Sequence, residues 1–250
     1  MAGAVLVLGL LWALAAAAAG STPAAPPPVD YRIYAGLLAR HVQDGVVDYA
    51  GFKKEEPLLD RFLAQLAGLD ASQLSRAERF AFYINAYNAW TIKLILTAYP
   101  GVSSIKDLGS LFSSPWKKEF VHLDGQIMSL DHLEHDILRP QFADPRVHFA
   151  INCASRSCPP LRSEPYQGAK LDQQLDDQVR RFLNDPQNVR LEGNVLYVSS
   201  IFKWYGGDFR DDPLGFIQRY AQGELKERLA APKGELEIAY LDYDWSLNGK

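Results

Sequence analysis

The sequence predicts an α+β fold in a single globular domain. Helix-patterned segments come first along the chain and hairpin signals come later, and one segment, 76–98, is apolar on nearly every face. We therefore expect a long buried central helix, several amphipathic helices and a small, mostly antiparallel sheet with hairpins. A chain of 250 residues that is 48% hydrophobic and 22% charged has the composition of such a domain.

The first twenty residues differ from the rest because they contain no charged side chain. Apolar residues dominate from Ala4 to Ala19, and the small residues at 15–20 resemble a cleavage region. We interpret 1–20 as a signal peptide, 21–29 as a linker rich in Pro and Ala, and 30–250 as the folded domain. The protein is then expected in the periplasm or outside the cell. An uncleaved N-terminal membrane anchor is the alternative, since the leading residues lack Lys and Arg; no membrane span is expected after signal removal.

The charge balance argues against a nucleic-acid partner. The formal charge is −4 and the isoelectric point is near 5.7, whereas nucleic-acid binding needs a basic excess on one face. Gly206-Gly207 lacks the spacing and the lysine of a phosphate-binding loop, and two cysteines without a CxxC motif make a poor zinc site. We therefore predict no cofactor, and the composition itself identifies no partner.

Apolar spacing and terminal signals place the individual elements. Helices are predicted over 31–42, 58–69, 76–98, 129–138, 171–183 and 213–229. Hairpins are predicted over 120–128 and 189–199, and strands over 147–152 and 236–241. Ser75 with Glu78 forms a predicted capping box for the central helix, and Asp212 is the predicted N-cap before Pro213.

Three polar residues, Glu78, Asn85 and Asn88, share one face of the predicted central helix. A buried amide without a partner costs about 1–3 kcal/mol, so these side chains must be satisfied. They either form a hydrogen-bond network that holds a neighbouring loop, or they form the polar wall of an active-site cleft.

The segment 131–136 carries two histidines and three carboxylates. His132 and His135 are i,i+3 neighbours on a helix and could share a metal, but zinc proteases space their histidines at i,i+4. A mixed-charge helix surface is the simpler interpretation. A metal site formed by His132, His135 and His148 is kept as a third hypothesis.

The segment from His148 to Pro160 is the most informative part of the chain. A strand over 147–152 would place His148 and Asn152 on one face and Cys153 at its end, where functional sites are often built. Cys153 and Cys158 could close a small loop as a disulfide in an oxidising compartment. Alternatively, Cys153 is a thiolate nucleophile, or both cysteines are reduced and inert.

A thiol mechanism requires a base and an orienting group. His148 or His135 is the candidate base. The candidate orienting groups are Asn85, Asn88, Glu134 and Asp244. Arg156 and the N–H groups of its loop would then stabilise the oxyanion.

The loop 202–209 combines two glycines with large aromatic side chains and Asp208. A tight structural turn is one interpretation, and a ligand pocket is the other. In the second case the predicted substrate-binding residues are Glu78, Arg156, Trp204, Tyr205 and Asp208.

Five ordered blocks resemble the domain of unknown function 547 family over Tyr31–Asn248. They are ERFAFYINAYNAWTIKLI, SLDHLEHDILR, VHFAINCASRSCPPL, SSIFKWYGGDF and LDYDWSLN. The resemblance implies an exported bacterial single-domain protein and no settled activity. The order of a long buried helix followed by histidine-bearing strands is also loosely similar to papain- and transglutaminase-like enzymes. Their nucleophilic cysteine opens the central helix, whereas this helix carries Asn85 and no cysteine.

Two functions are therefore expected. The leading one is a thiol-dependent hydrolase or acyl-transfer enzyme of the cell envelope, with a cleft between the central helix and 148–158. The alternative is a non-catalytic envelope module that binds a peptide or glycan, with Cys153 and Cys158 as a structural disulfide.

Overall fold

Helix α4 (Arg76–Leu96) is buried along most of its length and forms the centre of the protein. Because its side chains are apolar on nearly every face, it can pack against neighbours all round. The computed structural model describes residues 29–110, 113–232 and 234–249. The predicted signal peptide, and the linker except for Val29, lie outside these described residues. Within them, no helix has the length and apolar character needed to cross a membrane.

The helices that surround α4 agree with most of the predicted pattern. Those that precede it are α1 (Arg32–His41), α2 (Tyr49–Lys54) and α3 (Glu56–Ala67). Those that follow are α5 (Leu130–His132), α6 (Arg139–Phe142), α7 (Val147–Ala150), α8 (Leu171–Leu183), α9 (Ile201–Trp204), α10 (Pro213–Tyr220) and α11 (Gly223–Ala230). A π-helical turn, Leu133–Leu138, joins α5 to α6. Ser75 and Asp212 accept backbone N–H groups as the predicted N-caps.

The strands form three small sheets. The strands are β1 (Val42–Gln43), β2 (Val46–Val47), β3 (Val121–Leu123), β4 (Gln126–Met128), β5 (Val189–Glu192), β6 (Val195–Val198) and β7 (Glu237–Tyr240). The first two pairs, β1–β2 and β3–β4, are antiparallel hairpins. In the third sheet β5 pairs antiparallel with β6, and β7 pairs parallel with β6. Both predicted hairpins are confirmed; Asp124 and Gly125 have φ values of 51° and 70°, as a tight two-residue turn requires.

The predicted strand over 147–152 is wrong, because Val147–Ala150 is the short helix α7. A six-residue apolar run fits a buried strand and a buried helical turn equally well, so periodicity could not distinguish them. The chain becomes extended only at Ile151. His148 and Asn152 therefore do not share the face of a strand.

Two further expectations need correction. The predicted helix over 213–229 is two helices, α10 and α11, because Ala221 is extended and Gly223 has a φ of 52°. The loose likeness to papain- and transglutaminase-like enzymes is not supported either. That likeness depends on histidine-bearing strands after the central helix, whereas His135 and His148 both lie on helical turns.

The buried side chains form two clusters, and α7 lies between them. The larger cluster contains α4 and the helices before it, and it includes Val147 and Ile151. The smaller cluster surrounds Phe149 and includes Phe202 and Phe216. Because Val147 and Phe149 of one short helix belong to different clusters, the position of α7 is fixed from two sides.

Asn85 and Asn88 each hold a neighbouring segment by its backbone. The amide of Asn85 donates to the carbonyl of Tyr166 (2.8 Å) and accepts the N–H of the same residue (2.9 Å). The amide of Asn88 donates to the carbonyl of Ala150 (3.0 Å) and accepts the N–H of Asn152 (2.8 Å). The predicted hydrogen-bond network on this helix face is therefore present.

We expect Asn85→Ala to lower the free energy of unfolding by about 2–4 kcal/mol, because it leaves two buried backbone groups of Tyr166 without partners. Urea denaturation followed by circular dichroism measures the change. Gln65→Ala is the matched control, since the Gln65 amide donates to the Asp30 carbonyl at the surface, where water can replace it. Equal losses in the two variants would contradict the interpretation.

Candidate functional site

A cleft of about 230 Å³ opens between α7, the π-helical turn, α9 and the residues that follow β7, 241–249, which we call the C-terminal segment. The predicted site residues that line it are Glu134, His135, His148, Cys153, Trp204 and Tyr205. Asp208, also predicted, reaches the cleft indirectly through a hydrogen bond to His148. The structure thus brings together residues that lie up to 71 positions apart, from Glu134 to Tyr205.

Cys153 begins the loop 153–158, shortly after the chain leaves α7 and becomes extended at Ile151. Its Sγ atom is 3.0 Å from the hydroxyl of Ser155 and 3.2 Å from the hydroxyl of Tyr243. Ala154 has a left-handed φ of 61°, which is strained for a residue with a side chain. Asn152 accepts the N–H of Ala154 through Oδ1 (2.9 Å) and so stabilises the turn that presents the thiol.

Cys153 and Cys158 are free thiols in the structure, in place of the disulfide considered from the sequence. Burial by itself raises the pKa of Cys153, but its hydrogen bonds with Cys158, Ser155 and Tyr243 outweigh burial and lower the value to about 7. Burial, together with the neighbouring Cys153, raises the pKa of Cys158 well above its ordinary value. Cys153 is therefore the thiol that ionises near neutral pH.

His148 is buried on α7 and is paired with a carboxylate. Its Nε2 atom lies 2.7 Å from Oδ2 of Asp208, and its ring stacks on Tyr205 with 3.9 Å between centroids. The hydrogen bonds from His148 and then Arg139 hold the pKa of Asp208 well below its usual range. Since an ionised carboxylate only accepts, Nε2 of His148 carries a proton, and Nδ1 is the nitrogen left to accept one.

His135 has the opposite arrangement. Nη1 of Arg139 lies 2.7 Å from its Nδ1 atom, and a guanidinium can only donate. The proton of the neutral ring is therefore on Nε2, which lies 3.8 Å from Oδ1 of Asp131. His148 is thus suited to accept a proton in the cleft, and His135 is suited to donate a hydrogen bond.

Glu134 is a buried acid in the wall of the cleft, with only 6% of its surface exposed. Its Oε2 atom accepts a hydrogen bond from the hydroxyl of Tyr87 (3.2 Å). Burial, and then the charge of Glu134, raise the pKa of Tyr205. The Oε1 atom of Glu134 has no hydrogen-bond partner of normal geometry among the described residues.

Four aromatic side chains form one side of the cleft, which we call the aromatic wall: Trp116, Trp204, Tyr243 and Trp245. Ring centroids lie 4.8 Å apart for Trp204 and Tyr243, and 4.5 Å apart for Tyr243 and Trp245. Of these residues, sequence reasoning proposed only Trp204 as a site residue. The signal for Tyr243 was its place in the LDYDWSLN block; for Trp116 there was none.

The other predicted site residues lie elsewhere. Asn85 and Asn88 are occupied by backbone groups. The side chain of Glu78 packs directly against Gly168, so closely that a Cβ at that position would clash with it. Glu78 also lines a separate surface hollow. Arg156 lines a second hollow, and the N–H groups of Arg156 and Ser157 donate to carbonyls of the C-terminal segment, which leaves neither N–H free for an oxyanion.

The three-histidine metal hypothesis is not supported. His132 pairs with Asp136 (2.9 Å) on an exposed surface, whereas His135 and His148 pair with Arg139 and Asp208. Among the described residues, no group of three or more His, Cys, Asp or Glu side chains is arranged to hold a metal ion.

Comparison with known families agrees with the resemblance of the sequence blocks. Residues 71–183 match the model of the family described as "Protein of unknown function, DUF547". This segment of the chain belongs to the DUF547 family. It includes Glu134, His148 and Cys153, whereas Asp208 and Tyr243 lie beyond it. No curated protein and no solved structure matches the chain.

We expect iodoacetamide to alkylate Cys153 at a rate that rises with pH through a midpoint near 7, because the thiolate is the reactive form. Tyr243→Phe removes a hydrogen bond to the thiolate and should raise the midpoint by about one pH unit. Mass spectrometry of the modified peptide gives the rate.

Tyr240→Phe is the matched control, because Tyr240 is exposed on β7 and should leave the midpoint unchanged. A midpoint at the ordinary thiol value of about 8.5 in the unmodified protein would contradict this description of the site.

Proposed function

We propose that this protein is an exported thiol-dependent hydrolase or acyl-transfer enzyme of the cell envelope, with Cys153 as its nucleophile. One observation carries the proposal: a thiol with a lowered pKa lines the same cleft as a histidine that is paired with a carboxylate. A nucleophile, a base and a group that orients the base are the parts that acyl transfer through a thioester requires. The uncharged, Ala-rich residues 1–20 support export.

These roles rest on the cleft that Cys153, His148 and His135 share, since no hydrogen bond joins Cys153 to His148 among the described residues. The proton of Cys153 passes to Nδ1 of His148, while Asp208 holds the opposite nitrogen and stabilises the positive ring. Sγ bonds to the carbonyl carbon of the acyl donor, and the Nε2–H group of His135 donates to the developing oxyanion. The bond to the leaving group then breaks, and the leaving group takes the proton from His148.

The second half of the reaction releases the acyl group. A water molecule, an amine or an alcohol attacks the thioester, His148 accepts its proton, and the C–S bond breaks to return the Cys153 thiolate. With water the protein is a hydrolase, and with an amine or alcohol it is an acyl-transfer enzyme. Ser155 and Tyr243 stabilise the departing thiolate by the same hydrogen bonds that lower its pKa.

We expect the protein to release a burst of p-nitrophenolate from p-nitrophenyl acetate, and mass spectrometry to locate the acetyl group on Cys153. Cys153→Ser should lose the burst. Asp208→Asn should slow release of the acetyl group on the order of 10²-fold, because His148 loses the carboxylate that orients it.

Asp60→Asn is the control for the carboxylate change, since Asp60 pairs with Lys93 outside the cleft. Circular dichroism confirms that each variant is folded. An equal burst in Cys153→Ser would refute the proposed mechanism.

A non-catalytic binding module for a peptide or glycan is the second candidate, and the aromatic wall favours it. Trp204 is 46% exposed and lies beside the rings of Tyr243 and Trp245, and exposed apolar groups that form a contiguous patch mark interaction sites. The rings of the aromatic wall can pack against the apolar faces of a peptide or of a glycan. A module of this type would bind its ligand equally well in the protein and in Cys153→Ser, and would show no acylation.

A further inference from the structure

The cleft has an unusual distribution of charge. Its lining contains two carboxylates, Asp131 and Glu134, and no Lys or Arg side chain among the described residues. The guanidinium of Arg139, which contacts the lining residue His135, also binds Asp208. A ligand that enters the cleft therefore meets two carboxylates, and no Lys or Arg side chain among the described lining residues balances their charge.

Glu134 supplies a second and independent observation. Glu134 lines the cleft with 94% of its surface buried, and its Oε1 atom, itself buried, has no hydrogen-bond partner of normal geometry among the described residues. A buried carboxylate oxygen without a donor is costly, and a cationic or N–H-bearing ligand would remove that cost. The described residues thus leave a buried acceptor without a hydrogen bond of normal geometry, although the hydroxyl of Tyr205 lies close enough to Glu134 to interact with it.

The aromatic wall completes the arrangement. The faces of Trp and Tyr rings attract cations through their quadrupole, most strongly where water is excluded. One ring of the wall already makes such a contact, since Nζ of Lys106 lies 3.8 Å from the ring centroid of Trp245. Trp204 and Tyr243 lie next to this ring and also line the cleft.

From these observations we infer that the cleft binds an ammonium group, with Glu134 as the counter-ion and the aromatic wall as its apolar enclosure. This inference deepens the proposed function, on which it rests for the position of the acyl group: the substrate is an amine-bearing acyl donor, such as a peptide with a lysine-like side chain. The acyl carbon lies at Cys153, and the ammonium group lies at Glu134. Glu134 is then a specificity-determining residue of the site.

Binding is tested in Cys153→Ser protein, which cannot form a thioester. The probes are Nα-acetyl-lysine methyl ester and its neutral analogue Nα-acetyl-norleucine methyl ester, titrated while the tryptophan fluorescence of the cleft is recorded. We expect the lysine ester to bind roughly tenfold more tightly than the norleucine ester. Adding Glu134→Gln should abolish that preference, whereas adding Glu78→Gln should preserve it, because Glu78 lines a different hollow.

Trp204→Ala provides a second variant in case loss of the buried acid disturbs folding, since Trp204 is half exposed. It should weaken binding of the lysine ester more than binding of the norleucine ester. Equal affinity for the two esters in Cys153→Ser would overturn the inference, as would an unchanged preference in folded Glu134→Gln protein. Neither result depends on thiol chemistry. The proposed function is tested separately by the burst of p-nitrophenolate from p-nitrophenyl acetate.

Discussion

The candidate site depends on two hydrogen bonds that the Asn88 side chain makes on either side of the end of α7, which we call the Asn88 bracket. One amide side chain satisfies the carbonyl of Ala150 and the N–H of Asn152, in a buried region where neither group can reach water. The chain can therefore leave the helix at only one place and in one direction. His148 comes two residues before the bracket and Cys153 comes one residue after it, so both positions follow from this contact.

The C-terminal segment then completes the environment of the thiol. Asn248 donates to Oδ1 of Asn152 (3.1 Å), and the N–H of Asn248 binds the carbonyl of Ala154 (3.1 Å). These contacts bring Tyr243 against Cys153. The lowered pKa of the thiol is thus produced by a loop and a terminus that are about 90 residues apart, which requires the whole domain to be folded.

The sequence was a good guide wherever a local rule decides the structure. The all-round apolar character of 76–98 predicts a central helix, and Asp124-Gly125 predicts a hairpin, because each depends on residues that are neighbours in the chain. The shared face of Asn85 and Asn88 and their need for partners were also predictable. Which segments they would hold was not, because Tyr166 and Asn152 approach only in the tertiary fold.

The same limit explains what sequence reasoning missed in the site. The contact between His148 and Asp208 joins residues 60 positions apart, and no periodicity links them. The helical conformation of 147–150 is set by packing between two core clusters, which overrides the strand-like composition of that run. Arg139 is the last residue of the SLDHLEHDILR block, but its role depends on contacts with His135 and Asp208 that only the fold creates.

Hydrogen exchange in Asn88→Ala, read by mass spectrometry of peptides, tests most directly whether this bracket positions the site. If Asn88 holds this turn, exchange accelerates far more in 150–158 than in α1, because the backbone there loses its buried partner while α1 is affected only by the global loss of stability. Equal acceleration in the two segments would show that the turn carrying Cys153 is held by something other than Asn88.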